Sequence, residues 1–468
     1  MKKTVVAFQT LKVSLLASAL TGLMWSDAAL ARCTDDVGVD HSKASARAAP
    51  APKFEVEAPL DPMTQLQLIA KEAAKRSAEV GAARLLAEAA AFDLDETKGA
   101  RYPQVSVSGS AGPTHTTVDG VTAAKGTQHS LSLNVSSNLY DFGRQNKLTE
   151  WRSQLAGSAK YGAAVTQEQV VLEAVSTALE RNRFRLQAQV YQQYVRKMSC
   201  LVEALEGIVS EDKGRASELV QARKTQSQTE LSRDAALAQS RQIEFRLRKL
   251  IGDKLSLGDG ITVPLAAIPE IGEINRQIEF GNDAQQLRTQ ADALDSYAKA
   301  VVAGQKPQVN WALSKTEGVQ GLSNKVSSWQ AGVSVSYSLF NGFSDKAASS
   351  AASKRAESAR QQLAELLASK FARTAEIYDI ATTSMERAKR YVDVLRDSER
   401  VRNFTFQQWS QLGKRSLFDV MSAEADHFGL RIAYVNALHD GFAASAQMRS
   451  MGTGLSAWLL PEQQLQRP

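Results

Sequence analysis

Proline is missing from two long intervals of this 468-residue sequence: none of its eleven prolines lies between Pro113 and Pro264 or between Pro307 and Pro461. Nothing in those intervals forces a helix to stop. Cysteine is nearly absent. Cys33 sits in an irregular N-terminal stretch and Cys200 inside a helical pattern, so no structural bridge is expected. Aromatic residues are scarce at 7%, while Ala, Ser and Gln abound, a composition that favours long close-packed helices over a bulky core. The five histidines, His41, His115, His129, His427 and His439, lack the paired spacing of a metal site. No Gly-x-Ser-x-Gly elbow and no phosphate-binding glycine loop is present, so neither an enzyme nor a bound cofactor is expected. The net charge of +6 is spread over mixed Lys, Arg, Glu and Asp without a basic run interleaved with aromatics, which argues against nucleic acid.

Long apolar runs are missing too, beyond the N-terminus. There Lys2, Lys3 and Lys12 precede VSLLASALTGLMW and then Ala29-Leu30-Ala31, whose alternate small residues suit signal-peptidase cleavage. Residues 1–31 are read as a secretory signal rather than a membrane anchor. Arg32 before Cys33 argues against lipidation. Residues 32–62, rich in Ala, Pro and charged residues without periodicity, read as a flexible tail.

What is present repeats itself. The tripeptide Pro-Gln-Val stops a helical pattern and opens an alternating one at Pro103 and again at Pro307. The following segments are the clearest period-two stretches in the chain. Leu131, Leu133, Val135 and Leu139 alternate with Ser130, Ser132, Asn134, Ser136 and Asn138. Trp329, Ala331, Val333, Val335, Tyr337 and Leu339 alternate with Gln330, Ser334, Ser336 and Ser338. Each segment ends in a matching junction, Leu139-Tyr140-Asp141-Phe142-Gly143 and Leu339-Phe340-Asn341-Gly342. A long proline-free stretch follows each, broken once at Gly214 and once at Gly413. A helix from Gly143 to Val209 would be roughly 100 Å long and would need lateral packing to persist in water.

Heptad seams supply that packing. Phe418, Met421, Ala425, Phe428, Ile432, Val435, His439 and Phe442 form one, with His439 as a packed core residue. Tyr191, Tyr194, Met198, Leu201, Leu205 and Ile208 form another. Leu172, Val175, Leu179 and Leu186 begin a third in a shifted register. The organisation read from these signals is a first repeat over residues 63–260, a connector over 261–283, a second repeat over 284–450 and a tail over 451–468. The fold class is mainly α with a small β part and an internal duplication. Four strands with one apolar face are too few to close a barrel, but three chains would give twelve, with lipid outside and water inside.

On these features, together with Lys75-Arg76-Ser77-Ala78-Glu79-Val80, the sequence resembles the TolC family of outer-membrane channel-tunnels from residue 63 to residue 450. The motifs are short, and their order, duplication and spacing carry the resemblance. It implies a homotrimer with a twelve-stranded barrel continued by a coiled-coil helical tunnel, in the outer membrane of a Gram-negative bacterium and extending into the periplasm. Such a passive exit duct would take small-molecule efflux substrates or a type I secreted protein from an inner-membrane transporter and a periplasmic adaptor. The resemblance places Asp419 in an aspartate ring at the periplasmic aperture, Arg415 at a lock position, and Ser422 where a second ring aspartate is found in the family. Gly214 and Gly413 become the periplasmic helix turns. Tyr140, Gly143, Phe340 and Gly342 become the membrane-interface junctions, and Leu131, Leu133, Val135, Val333, Val335 and Tyr337 the lipid-facing strand residues. A periplasmic coiled-coil scaffold without a barrel is the alternative, and the alternating strands argue against it.

Overall fold

The computed structural model describes residues 61–119, 121–253, 261–320 and 324–461. The expected signal at 1–31 and nearly all of the expected tail at 32–62 lie outside the described residues.

Helix α1 (Pro62–Arg76) starts where Asp61 accepts the Met63 and Thr64 amides at 3.1 and 3.3 Å, with Pro62 in the first turn. Ser77 then interrupts the helical pattern. Its hydroxyl accepts the Val80 N–H at 3.3 Å and begins α2 (Ala78–Gly99), so the stretch before Pro103 is two helices. Strands β1 (Gln104–Val118) and β2 (Val121–Tyr140) follow, then α3 (Arg144–Glu211), a short 3₁₀ turn at Lys213–Arg215, and α4 (Ala216–Ile251). A 3₁₀ turn at Val263–Leu265 and α5 (Ile271–Ile278) lead to α6 (Asn282–Gly304). The chain continues through β3 (Gln308–Gln320), β4 (Asn324–Ser336), α7 (Ser344–Ser410), α8 (Leu417–Met451) and the short α9 (Leu455–Leu459).

The recurring Pro-Gln-Val has a physical cause. The Gln104 side-chain amide donates to the carbonyls of Gly99 and Tyr102 at 3.2 and 3.0 Å, and Gln308 does the same to Ala303 and Lys306 at 3.4 and 2.9 Å. Each glutamine adds a second hydrogen bond to a helix-end carbonyl that already accepts the Tyr102 or Lys306 amide, and one to a carbonyl just past the helix, while proline keeps that helix from continuing.

The four strands form one antiparallel sheet in the order β1-β2-β3-β4. Strand β2 pairs directly with β3, bringing together segments on either side of α3 to α6. Pairing of β4 ends at Ser336 opposite Gln308. The expectation that strand rungs continue to Leu339 is thereby corrected, and Tyr337 lies past the strand. Its partner strand starts at Gln308, because Pro307 has no N–H to add another rung.

The chain divides into two compact units that cut across the sequence halves. One takes α1, α3 from Leu172, α4, α7 from Glu376, and α8 as far as Met448. Its core contains Tyr194, Met198, Leu201, Leu205, Phe406, Trp409, Leu417, Val420, Met421 and Phe428. Tyr194 stacks on Phe428 with ring centroids 4.6 Å apart. The other takes α2, the sheet, α5, α6, α9 and the first parts of α3 and α7. Its helices pack through small residues, with Ala291, Ala293, Ala298, Ala300, Ala352 and Ala356 all buried.

The α8 seam is wider than a single heptad line. Met421, Phe428, Val435, His439 and Phe442 are buried as expected, but Phe418 and Ala425 are exposed. Leu417, Val420, Glu424 and His427 form a second buried line. The reason is that α8 packs against α3 and α7 together, so two adjacent stripes are covered rather than one. A second correction concerns Cys200, which is half-buried and disulfide-bonded. The other sulfur lies outside the described residues. A position within a helix does not prevent pairing when the sulfur is not enclosed by the core.

Candidate functional site

Two regions carry the residues singled out from sequence: the sheet with its helix junctions in one unit, and the helix turns in the other.

At each junction the chain reverses its period through two consecutive residues with positive φ. These are Phe142 (52°) and Gly143 (82°) in the first half, Gly342 (59°) and Phe343 (66°) in the second. Glycine adopts that region freely, whereas a phenylalanine there is strained by its Cβ. Aromatic contacts offset the strain. Phe142 packs edge-on to Tyr140 at 4.7 Å and Phe343 edge-on to Phe340 at 5.4 Å. Polar caps then start the helices. Asp141 accepts the amides of Gly143 and Gln145 at 3.0 and 2.7 Å. At the second junction Asn341 donates to Asp345 at 3.0 Å and its carbonyl accepts the Ser344 amide at 3.1 Å. Sequence reasoning found Tyr140, Gly143, Phe340 and Gly342, but missed that Phe142 and Phe343 share the turn. Their adjacency to glycine in opposite orders, Phe-Gly and Gly-Phe, was the available signal.

The sheet has two unlike faces. Rows such as Ser108–Ser132–Thr316–Ser328 and Ser106–Asn134–Ser314–Gln330 run across all four strands on one of them. The hydroxyls of Ser110 and Ser130 meet at 2.8 Å, as do those of Ser132 and Thr316. Among the described residues no charged side chain belongs to this face. The opposite face carries the row Val105–Val135–Leu313–Ala331 and, further from the helices, Val107–Leu133–Lys315–Trp329. Leu131 is 60% exposed, Val333 65% and Val335 66%, while Ser130, Ser132 and Asn134 are half-buried. Leu133 is exposed as well, and Val135 is half-buried. A soluble sandwich would show the reverse, with its apolar face covered. Trp329 stands in mid-strand rather than at a strand end.

The helix turns differ from each other. Gly413 has φ 58°, and the Lys414 N–H returns to the Gln408 carbonyl at 3.0 Å, closing the end of α7. Gly214 has no left-handed backbone. Its N–H donates to the Asp212 carboxylate at 2.9 Å, and a Cβ there would lie 3.1 Å from that oxygen. Both glycines mark turns, one for its φ and the other for a close approach.

Asp419 belongs to the capping of α8. Its carboxylate accepts the Ser416 N–H at 2.9 Å and the Ser416 hydroxyl at 3.0 Å, while the Asp419 N–H donates back to that hydroxyl at 3.3 Å. These bonds, the backbone one foremost, hold its carboxyl below the usual aspartate value, with a smaller contribution from Arg415. Arg415 itself donates to Gln408 at 3.2 Å and is exposed, as is Ser422. The structure thus brings Arg415 and Asp419 to one turn and leaves Ser422 on the helix surface beyond it.

One cluster was missed from sequence. Glu424 is fully buried, 3.6 Å from the Lys197 ammonium on α3 and 3.6 Å from the Arg402 guanidinium on α7. Lys197 also lies 5.2 Å above the Phe406 ring. Burial, with Glu424 and Asp426 nearby, pushes the Tyr194 hydroxyl up to about 12. The signal was the spacing of Glu424 from Leu417 and Val420, which a purely apolar seam passes over.

An exposed apolar sheet face and an uncharged polar face, carried on helices of 68 and 67 residues, define an outer-membrane channel protein rather than a soluble helical scaffold. Residues 69–253 and 281–452 match the outer membrane efflux protein family, and the chain belongs to that family. Among solved structures, it is similar to CusC, at 16% identity over 84% of this chain and 92% of that one, with a TM-score of 0.76. It is also similar to the outer membrane protein VceC of Vibrio cholerae, at 15% identity over 84% and 97% of the two chains, with a TM-score of 0.73. The Campylobacter jejuni outer membrane channel CmeC is 13% identical over 88% of this chain and 93% of that one, with a TM-score of 0.71. Comparison with curated proteins gave no match. The protein is an outer-membrane exit duct of a tripartite efflux system, extending into the periplasm, in a family of passive channels.

Proposed function

We propose that three copies of this chain close a twelve-stranded barrel and that the duct passes small molecules. They are handed on by a periplasmic adaptor and an inner-membrane transporter. The observation that carries this reading is the sheet. Its apolar face is open, and the outer edges of β1 and β4 have no strand partner among the described residues. Free edges are not tolerated in lipid, and four strands are too few to close a barrel, so neighbouring copies supply the missing pairs. Leu131, Leu133, Val135, Val333 and Val335 then face acyl chains. Tyr337, Tyr140 and Phe340 sit at the inner interface, where aromatic girdles form. Gly143 and Gly342 turn the barrel wall into the tunnel helices, one junction for each of the repeats at 63–260 and 284–450, with residues 261–283 connecting them.

In the other unit, the turns at Gly214 and Gly413 form the aperture. Asp419 contributes one carboxylate per copy, kept ionised by its capping bonds, and a ring of such groups favours cations. Arg415 supplies a link near the turn, and Ser422 lines the wall without charge. The test is deletion of the gene followed by growth in small toxic compounds and assay of secreted proteins. Lowered resistance with intact secretion supports this cargo. Loss of one secreted protein with unchanged resistance would replace it with type I secretion.

A further inference from the structure

The ionisable residues of the sheet are placed with a bias that the duct function does not require. A water-filled lumen is the inexpensive place for charge, yet the polar face has none among the described residues. His115, Lys125, His129, Lys315, Glu317 and Lys325 all fall on the apolar face instead, by the strand register. They are also confined to one end. Moving away from the helices, the apolar row Val105–Val135–Leu313–Ala331 comes first. Next comes Val107–Leu133–Lys315–Trp329, then Gly109–Leu131–Glu317–Ser327, then Ala111–His129–Val319–Lys325.

Height along the barrel separates these rows. A strand rising ~3.3 Å per residue at a tilt of ~40° climbs roughly 2.5 Å per residue, so Lys315 stands about 18 Å above Gln308 and Lys325 about 28 Å above Ser336. The apolar band of such barrels is about 25 Å tall. His115, His129 and Lys325 therefore stand at its outer margin. Lys315, directly opposite Trp329 in the same row, has a stem long enough to raise its ammonium toward the same level. Lys315 is partly neutralised by Glu317 at 3.1 Å, and Asp119 occupies the β1–β2 turn still higher. What remains at the margin is a belt of lysine and imidazole donors, all exposed.

We propose that this belt is a docking surface for the phosphate-bearing headgroups of outer-leaflet glycolipid. The occupant follows from chemistry: the belt faces outward from the barrel, at headgroup depth, and presents donors of positive or neutral charge to an anionic, multi-acceptor group. The proposal rests on the assignment of the apolar face to lipid.

The test uses the full-length protein in detergent and reads its heat-dissociation temperature on gels. Three additions are compared: diphosphorylated lipid A, enzymatically dephosphorylated lipid A, and inorganic phosphate. A rise of several degrees with the diphosphorylated lipid alone is expected. That rise should be lost in a Lys315→Gln, Lys325→Gln, His129→Gln variant and kept in a Lys315→Arg, Lys325→Arg variant. An equal rise with either lipid, or a rise with inorganic phosphate, overturns the proposal, as does an unchanged response in the glutamine variant. Quenching of Trp329 fluorescence by brominated acyl chains, read against Trp329→Phe, separates the two levels. Quenching with no lipid A response refutes the belt alone. An absence of quenching refutes the lipid-facing assignment beneath it.

Discussion

Replacing Glu424 with leucine should loosen the packing of α8 on α3 and α7 far more than a surface change on the same helix. The carboxylate is fully buried and lies 3.6 Å from both Lys197 and Arg402, whose side chains are 8% and 5% exposed. Removing it leaves two cations in a seam closed by Phe406, Trp409 and Phe428. Breaking a buried pair in this way costs about 3–5 kcal/mol, because the remaining charge has lost its counterion and cannot reach water. Each 1.4 kcal/mol is a factor of ten, so amide protection around Val420–Phe428 should fall roughly 100- to 5,000-fold if opening there is local. Hydrogen exchange on the detergent-solubilised protein reads that ratio directly, without requiring a reversible global transition. A second variant sharpens the test. Lys197→Met, Arg402→Met, Glu424→Leu removes all three charges and should restore most of the protection, since a well-packed apolar replacement of a buried ion cluster is close to neutral. The reasoning is refuted if Glu424→Leu alters protection no more than Ser422→Ala, or if the triple variant is as damaged as the single one.

Two other perturbations follow from the same geometry. Asp419→Ala removes the capping carboxylate at α8 and should weaken block by multivalent cations in single-channel recordings. An unchanged block would remove Asp419 from the aperture. Because its folded pKa is lowered, the capping contribution of Asp419 is present above the ordinary value of 3.8 and lost as pH falls through the lower folded value. His439 is also depressed, chiefly by burial and further by Arg183, against the opposing effects of its bond to the Val435 carbonyl at 2.9 Å and of Asp440. Its neutral form is the one the fold accepts, so its contribution is complete above pH 6.5 and is lost as pH falls through the depressed value. Exchange protection of Val435–Phe442 should drop on acidification in the native protein and hold steady in His439→Gln.

Much of the fold was legible because its signals are local. Period-two alternation located the strands, and Pro103 and Pro307 marked where helices stop. Tyr194, Met198, Leu201 and Leu205 fell on a single heptad line and are all buried. The misses have local signals that point the wrong way. Glu424 reads as a surface carboxylate unless two basic partners, 227 positions before it and 22 before it, are known to converge on it. Phe418 outranks Leu417 on hydrophobic bulk, yet the second helix neighbour selects Leu417 for burial. Phe142 and Phe343 point away from positive φ by residue type, since phenylalanine seldom adopts it; only the adjacent glycine hints at the turn that the surrounding aromatic and polar contacts make tolerable. At the candidate aperture, residue types located the turns at Gly214 and Gly413, but only the geometry separated a left-handed cap from a glycine that admits a neighbouring carboxylate.

The claim on which the rest depends is that this sheet is one part of a closed membrane wall shared between copies. Light scattering on the protein extracted by detergent from purified outer membranes tests it most directly, with the detergent contribution subtracted. A mass of three mature chains, collapsing to one after boiling, is the predicted result. A single-chain mass before boiling would contradict it.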